Sequence, residues 1–133
     1  MMSKDELPYG LFSIDVDLPF GEAMDRLQKS LRQGGFTIFA VIDHKEAAKG
    51  AGMEMNPASV IIFGNPAGGT ILMKESDTIA VDLPARILVS GNGKTKLYFN
   101  KMEYVKERHS LKGKDEAISN FDKKVIGILE NIE

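Results

Sequence analysis

The chain begins with an alternating segment followed by one of helical period. Over residues 11–18 the apolar side chains fall on every second position, while Ser13, Asp15 and Asp17 occupy the positions between them. A period of two predicts a strand with one solvent-facing side. Pro19 then suits the first turn of a helix, and apolar residues recur every four positions until Gly34-Gly35. Glycine is favoured at such a helix end, so a helix is predicted between these two signals.

Two later segments are apolar on both faces. Phe36–Ile42 and Ser59–Phe63 contain almost no polar residues, and we expect the first to be a central strand covered on both sides. Short helices are expected at residues 45–51 and 70–75. Residues 85–90 and 95–99 are expected to form a hairpin, because Asn-Gly between apolar segments favours a tight turn with positive φ at both central residues. Asp77–Leu83 fits no pattern clearly.

The last third of the chain is predicted to be helical. Glu103–His109 fits a short helix, and from Asp115 onward apolar residues follow a period of 3.6, which indicates a long C-terminal amphipathic helix. The fold class is therefore α+β, with a mostly antiparallel sheet of about five strands and helices on one face. At 133 residues we expect a single domain, with residues 1–10 as a loose lead-in.

Composition narrows the classes of function. The net charge of −2 argues against a nucleic-acid partner. The lack of cysteine excludes disulfides, thiolate metal sites and a cysteine nucleophile. No export signal is recognised, and no apolar segment approaches the ~20 residues of a membrane helix, so we expect a cytoplasmic protein that does not contact membranes.

Polar residues gather where the two apolar strands end. Asp43 and His44 follow the first strand, where Asp43 could cap the next helix or orient His44 as a general base. Gly64 and Asn65 begin a glycine-rich loop after the second strand. Its backbone N–H groups could hold an anion, or the glycines could simply permit a tight turn.

Two further residues complete the candidate site. Asp82 could pair with Arg86 or face the same pocket as Asp43, and His109 lies near a helix end, where a cation is favoured. The histidine spacing supports no metal site, and we predict none. The pocket is expected to bind a small molecule or an anion, with its cofactor unidentified, through Asp43, His44, Gly64, Asn65, Asp82 and His109.

Several short strings together resemble a known family. Ile42-Asp43-His44, Phe63-Gly64-Asn65-Pro66 and Asp82-Leu83-Pro84 occur in the order found in the DUF302 family, small bacterial and archaeal domains of unknown function. A tryptophan frequent in that family is absent from Arg86–Ser90. The resemblance implies a compact fold similar to TATA-binding-protein-like β-α-β4-α domains and a homodimer, but no established activity.

Three functions follow as hypotheses. The favoured one is a ligand-binding domain whose pocket is built from the three strings named above. A structural or dimerisation module without a ligand is the first alternative. An enzyme using His44 as general acid or base is the second, and nothing in the sequence selects its substrate.

Overall fold

The computed structural model describes residues 4–133 and contains a six-stranded antiparallel sheet. The strands, in chain order, are β1 (Lys4–Leu7), β2 (Leu11–Val16), β3 (Thr37–Asp43), β4 (Ala58–Gly64), β5 (Ala85–Ser90) and β6 (Thr95–Asn100). In the sheet they lie in the order β1-β2-β6-β5-β4-β3. The first and last thirds of the chain therefore meet at the β2–β6 pair, while β3 lies at one edge.

Five α-helices connect or follow the strands. They are α1 (Phe20–Gln33), α2 (His44–Gly50), α3 (Pro66–Glu75), α4 (Met102–Arg108) and α5 (Asp115–Glu130). Buried residues of α1 and α5 share one core with alternate residues of the strands, such as Ile61, Ile87 and Leu97. Helices thus cover one face of the sheet, which confirms the predicted α+β class and the long C-terminal helix.

An aromatic cluster joins the sheet to α5. The ring of Phe121 lies 5.6 Å from that of Phe36, 6.2 Å from that of Phe63 and 6.4 Å from that of Phe99. These centroid distances are within the range of favourable ring packing. The cluster fixes the first half of α5 over the end of the sheet where β4 finishes.

The prediction that β3 is a central strand is wrong. β3 pairs with β4 alone among the described strands, and its side chains Phe39, Val41 and Ile42 are 47%, 43% and 42% exposed. Because both faces of this segment are apolar, we expected both to be covered by other parts of the protein. The position of a strand in the sheet, however, depends on pairing between distant segments, which periodicity does not encode.

The N-terminal segment also differs from expectation. Residues 1–10 were expected to be a loose lead-in, but Lys4–Leu7 pairs with β2 and Pro8–Gly10 forms a 3-10 turn; residues 1–3 lie outside the described chain. The sheet accordingly has one strand more than predicted.

Two turns also differ from expectation. Residues 91–94 connect β5 and β6 as expected, but only Gly93 has positive φ, so the connection is not the primed turn that was predicted. The ambiguous segment is a 3-10 helix at Asp77–Asp82.

Candidate functional site

The strand register separates the predicted site residues into two groups. Asp43 pairs with Ser59, whereas Gly64 pairs with Thr37 at the other end of the same ladder. At about 3.4 Å per residue, the five steps from Ser59 to Gly64 span roughly 17 Å. The prediction that all six residues line one pocket is therefore wrong, because antiparallel β3 and β4 place their C-terminal ends at opposite ends of their ladder.

Asp43 and His44 form a helix start at the far end. The Asp43 Oδ1 accepts a hydrogen bond from the Glu46 N–H at 2.9 Å, as expected of a capping residue. His44 is exposed, and its imidazole makes no hydrogen bond or ion pair with any residue in the described range. Since no carboxylate orients its imidazole, this geometry argues against His44 as a general base.

A cavity of about 460 Å³ opens at the other end, where β4 finishes. It lies between α3, the start of β5 and the first half of α5. Gly64, Asn65 and Pro66 form one part of its wall, and Leu83 and Pro84 form another. Two of the three sequence strings therefore meet here. The rest of the wall is mostly apolar and includes Phe39, Ile71, Leu72, Ile118 and Phe121.

The predicted glycine loop is instead the beginning of a helix. α3 starts at Pro66, and the Asn65 Oδ1 accepts hydrogen bonds from the N–H groups of Ala67 at 3.0 Å and Gly68 at 3.3 Å. The Gly69 N–H donates to the Asn65 carbonyl at 2.9 Å. Proline has no N–H, so the backbone donors expected to hold an anion are already paired. The prediction that these backbone N–H groups hold an anion is therefore wrong.

Asp82, which directly precedes the cavity residue Leu83, forms a hydrogen-bonded cluster with His109. The His109 Nε2 lies 2.5 Å from the Asp82 Oδ2, and the Thr78 hydroxyl lies 2.9 Å from the His109 Nδ1. The Arg108 Nη1 donates to both Asp82 oxygens, at 2.9 and 2.8 Å. The expected alternative partner, Arg86, is exposed on β5 and is not part of the cluster.

The surroundings of Asp82 in this cluster favour its ionised form. Burial raises the pKa of Asp82, but the hydrogen bond with His109 and the charge of Arg108 outweigh burial and hold that pKa below its usual value. The ionised Asp82 must receive a proton from Nε2, so in a neutral His109 ring Nδ1 accepts from the Thr78 hydroxyl. The His109 and Asp82 side chains are only 7% and 20% exposed, so the cluster ties α4 to the 3-10 helix before β5.

The structure thus places Gly64 and Asn65 in the cavity wall. Asp82 and His109 contact each other but do not line the cavity, and Asp43 and His44 are remote. Sequence reasoning did not identify Lys114 and Ala117, which line the cavity, or Thr78, which bonds His109. No local pattern marks these residues, because each reaches its site through the packing of α5 or α4. Among the described residues no group of three or more histidine and carboxylate side chains is placed to hold a metal ion.

Comparison with known proteins identifies relatives that are similar in sequence and a solved structure that is similar in fold. The chain is 38% identical over 104 residues to proteins of Brucella suis and Brucella abortus, each named fluoride-specific ion channel FluC 1. The match takes in 77% of this chain but only 41% and 38% of those relatives. Within residues 4–133, no helix combines the length and apolar character needed to cross a membrane.

A solved structure supports the fold. The crystal structure of an uncharacterized conserved DUF302 protein from Bacillus stearothermophilus superposes with a TM-score of 0.80, covering 93% of this chain and 98% of that one at 22% identity. At that identity the likeness concerns the fold alone. The family model described as domain of unknown function DUF302 matches residues 12–132. The chain therefore belongs to the DUF302 family.

Proposed function

We propose that this domain binds a small, mainly apolar ligand in the cavity between α3, β5 and α5. The observation that carries this proposal is that the Gly64-Asn65-Pro66 and Leu83-Pro84 segments, far apart in sequence, line the same cavity. Its volume of about 460 Å³ lies within the range typical of small-molecule sites. Apolar walls with a few polar groups are also typical of such sites.

The nature of the wall favours a ligand over a purely structural role for the two segments. A cavity lined by apolar side chains forfeits dispersion contacts when it is empty, and a bound apolar molecule restores them. Burial of apolar ligand surface is worth roughly 25 cal/mol per Å², so a ligand of modest size gains several kcal/mol before the cost of association.

The test measures binding of the neutral fluorescent probe N-phenyl-1-naphthylamine. The variant Ala117→Phe places a ring at the cavity wall on an exposed part of α5, so it should abolish binding and leave folding intact. Ala47→Phe, on exposed α2, is the matched control and should bind like the parent. Equal probe binding by both variants would refute the cavity as the site, as would no binding by the parent protein.

The Brucella relatives raise fluoride as a ligand, and we propose that this cavity does not bind it. Within the described part of the chain, Asn65 and Lys114 are the only polar side chains in the wall, which is too few donors to replace the hydration of a small anion. A titration with NaF, compared with NaCl, should therefore leave the amide resonances of Asn65 and Gly68 unshifted. A saturable, fluoride-specific shift there would overturn this view.

A second candidate function is a homodimer through β3. β3 is an edge strand with three apolar side chains at least two-fifths exposed, and an edge of this kind is a template for pairing with another chain. An antiparallel pair of identical strands satisfies two-fold symmetry. Val41→Lys should then lower the mass measured by sedimentation, whereas Val81→Lys, on a 71% exposed residue elsewhere, should not. A parent protein that sediments as a monomer would refute the dimer.

We propose a cytoplasmic location on the cysteine-free composition, and the acidic balance gives no reason to propose a nucleic-acid partner.

A further inference from the structure

We infer that the ligand of this cavity is an anionic amphiphile, a monocarboxylate with an alkyl or aromatic body. This inference rests on the proposed function, since it concerns the same cavity. It specifies the chemistry of the ligand's polar end, which the apolar wall alone leaves open.

The first argument is the charge at the cavity wall. Among the residues that the structure describes, Lys114 is the only charged one that lines it. The Lys114 ammonium group makes no ion pair or hydrogen bond with any described residue, and the neighbouring carboxylate of Asp115 is paired with Lys106 at 2.9 Å. A cation without a partner beside an apolar cavity favours a ligand that has a negative end.

The second argument is the hydrogen-bonding character of Asn65. Its Oδ1 is occupied by the N–H groups of Ala67 and Gly68, and its Nδ2 has no partner in the described part of the chain. The amide therefore offers only a donor to a ligand. Asn65 also stands at the start of α3, the end of a helix that favours negative charge.

The two arguments point to the same chemistry. The polar side chains in the wall, Asn65 and Lys114, each offer a donor, and among the described residues no side chain in the wall offers a free acceptor. A ligand with an acceptor end is matched, whereas an ammonium end would meet a like charge and no acceptor. A carboxylate on an apolar body satisfies both the donors and the wall.

The expected size of the preference for an anionic ligand follows from the exposure of Lys114. Lys114 is exposed, so solvent and salt screen its attraction, and an exposed ion pair is worth about 0.2–1 kcal/mol. That corresponds to roughly 1.4-fold to fivefold tighter binding of the anion. The preference should shrink in 0.5 M NaCl, where the Debye length falls to about 4 Å.

The experiment compares three probes of equal chain length, octanoate, 1-octanol and octylammonium, in NMR titrations of 15N-labelled protein below their aggregation limits. We expect octanoate to bind tightest and octylammonium weakest, with shifts at Gly68, Gly69 and Leu83. Lys114→Gln should remove the preference for octanoate over octanol, and Lys114→Arg should retain it. Lys112→Gln, an exposed lysine outside the cavity wall, is the matched control and should behave like the parent.

Asn65→Ser tests the second donor separately. Serine keeps an oxygen that can cap α3 but replaces the amide donor with a hydroxyl on a shorter side chain, so octanoate should bind more weakly while the unfolding midpoint changes little. If octanol binds as tightly as octanoate, or Lys114→Gln leaves the ranking unchanged, the inference is wrong and the proposed cavity function stands. If none of the three probes shifts the cavity amides, both are wrong.

Discussion

Asp122 provides the sharpest test of how this fold is held together. It lies on α5, is 5% exposed, and accepts hydrogen bonds from the N–H of Met102 at 2.8 Å and of Glu103 at 3.0 Å. Those are the first two N–H groups of α4, and Lys101, the residue before that helix, makes no side-chain cap bond. One helix therefore supplies the N-cap of another, and Asp122→Ala removes it.

The cost can be worked out from the two bonds. The N–H of buried Met102 would lose its partner without gaining water, which costs about 1–3 kcal/mol. The N–H of exposed Glu103 can be hydrated, so its loss costs about 1 kcal/mol. Burial raises the pKa of Asp122 despite the two N–H bonds, which shows that the ionised carboxylate bears a desolvation cost. We therefore expect Asp122→Ala to lower the free energy of unfolding by about 2–3 kcal/mol.

The assay is urea unfolding at pH 7 followed by circular dichroism. Asn120→Ala, an exposed position on the same helix, is the control and should change the free energy of unfolding by less than about 0.5 kcal/mol. The loss of unfolding free energy in Asp122→Asn should lie between the losses in Asp122→Ala and Asn120→Ala, because the asparagine amide keeps one acceptor. A loss below about 1 kcal/mol for Asp122→Ala would refute this account of the cap.

Three other predictions concern single interactions. Because the pKa of Asp82 is lowered in the folded state, its contribution is present above pH ~4 and is lost as pH falls through the folded value; Asp82→Asn should cost about 1–2 kcal/mol at pH 7 and progressively less as the pH is lowered below ~4 in urea titrations. A cost independent of pH would contradict this. Asn65→Ala should lose about 1 kcal/mol by removing the α3 cap, whereas Asn65→Asp should lose none, which thermal unfolding can distinguish. Gly10→Ala should be strongly destabilised, because φ is +74° and the new Cβ would lie 2.2 Å from the Tyr104 Cβ, while Gly21→Ala, with nothing within 4 Å, should be neutral or slightly stabilised; equal stability of the two variants would refute the close approach.

The sequence predicted the local elements well where periodicity was strong. Strand β2 corresponds to the alternation in residues 11–18, and α1 corresponds to the helix predicted after Pro19. Helix α5 corresponds to the period of 3.6 after Asp115. It also indicated the family, which rests on short strings of residues. Hydrophobic period determines the type of element and the face it buries, and both are properties of neighbouring residues.

The candidate site was only partly predictable. Gly64 and Asn65 were identified as site residues and do line the cavity, but Asp43 and His44 were grouped with them and lie at the opposite end of the sheet. The grouping assumed that strand ends followed by polar residues converge. That assumption fails when consecutive strands are antiparallel neighbours, as β3 and β4 are.

What the sequence determined alone is therefore the strongly periodic elements β2, α1 and α5, the faces that they bury, and the family. The tertiary structure decided which strand lies at the edge, which carboxylate caps α4, and that Asp82 meets His109 rather than Arg86. Each of these depends on contacts between residues far apart in the chain. Such contacts are fixed by how the whole core packs, and no window of neighbouring residues encodes them.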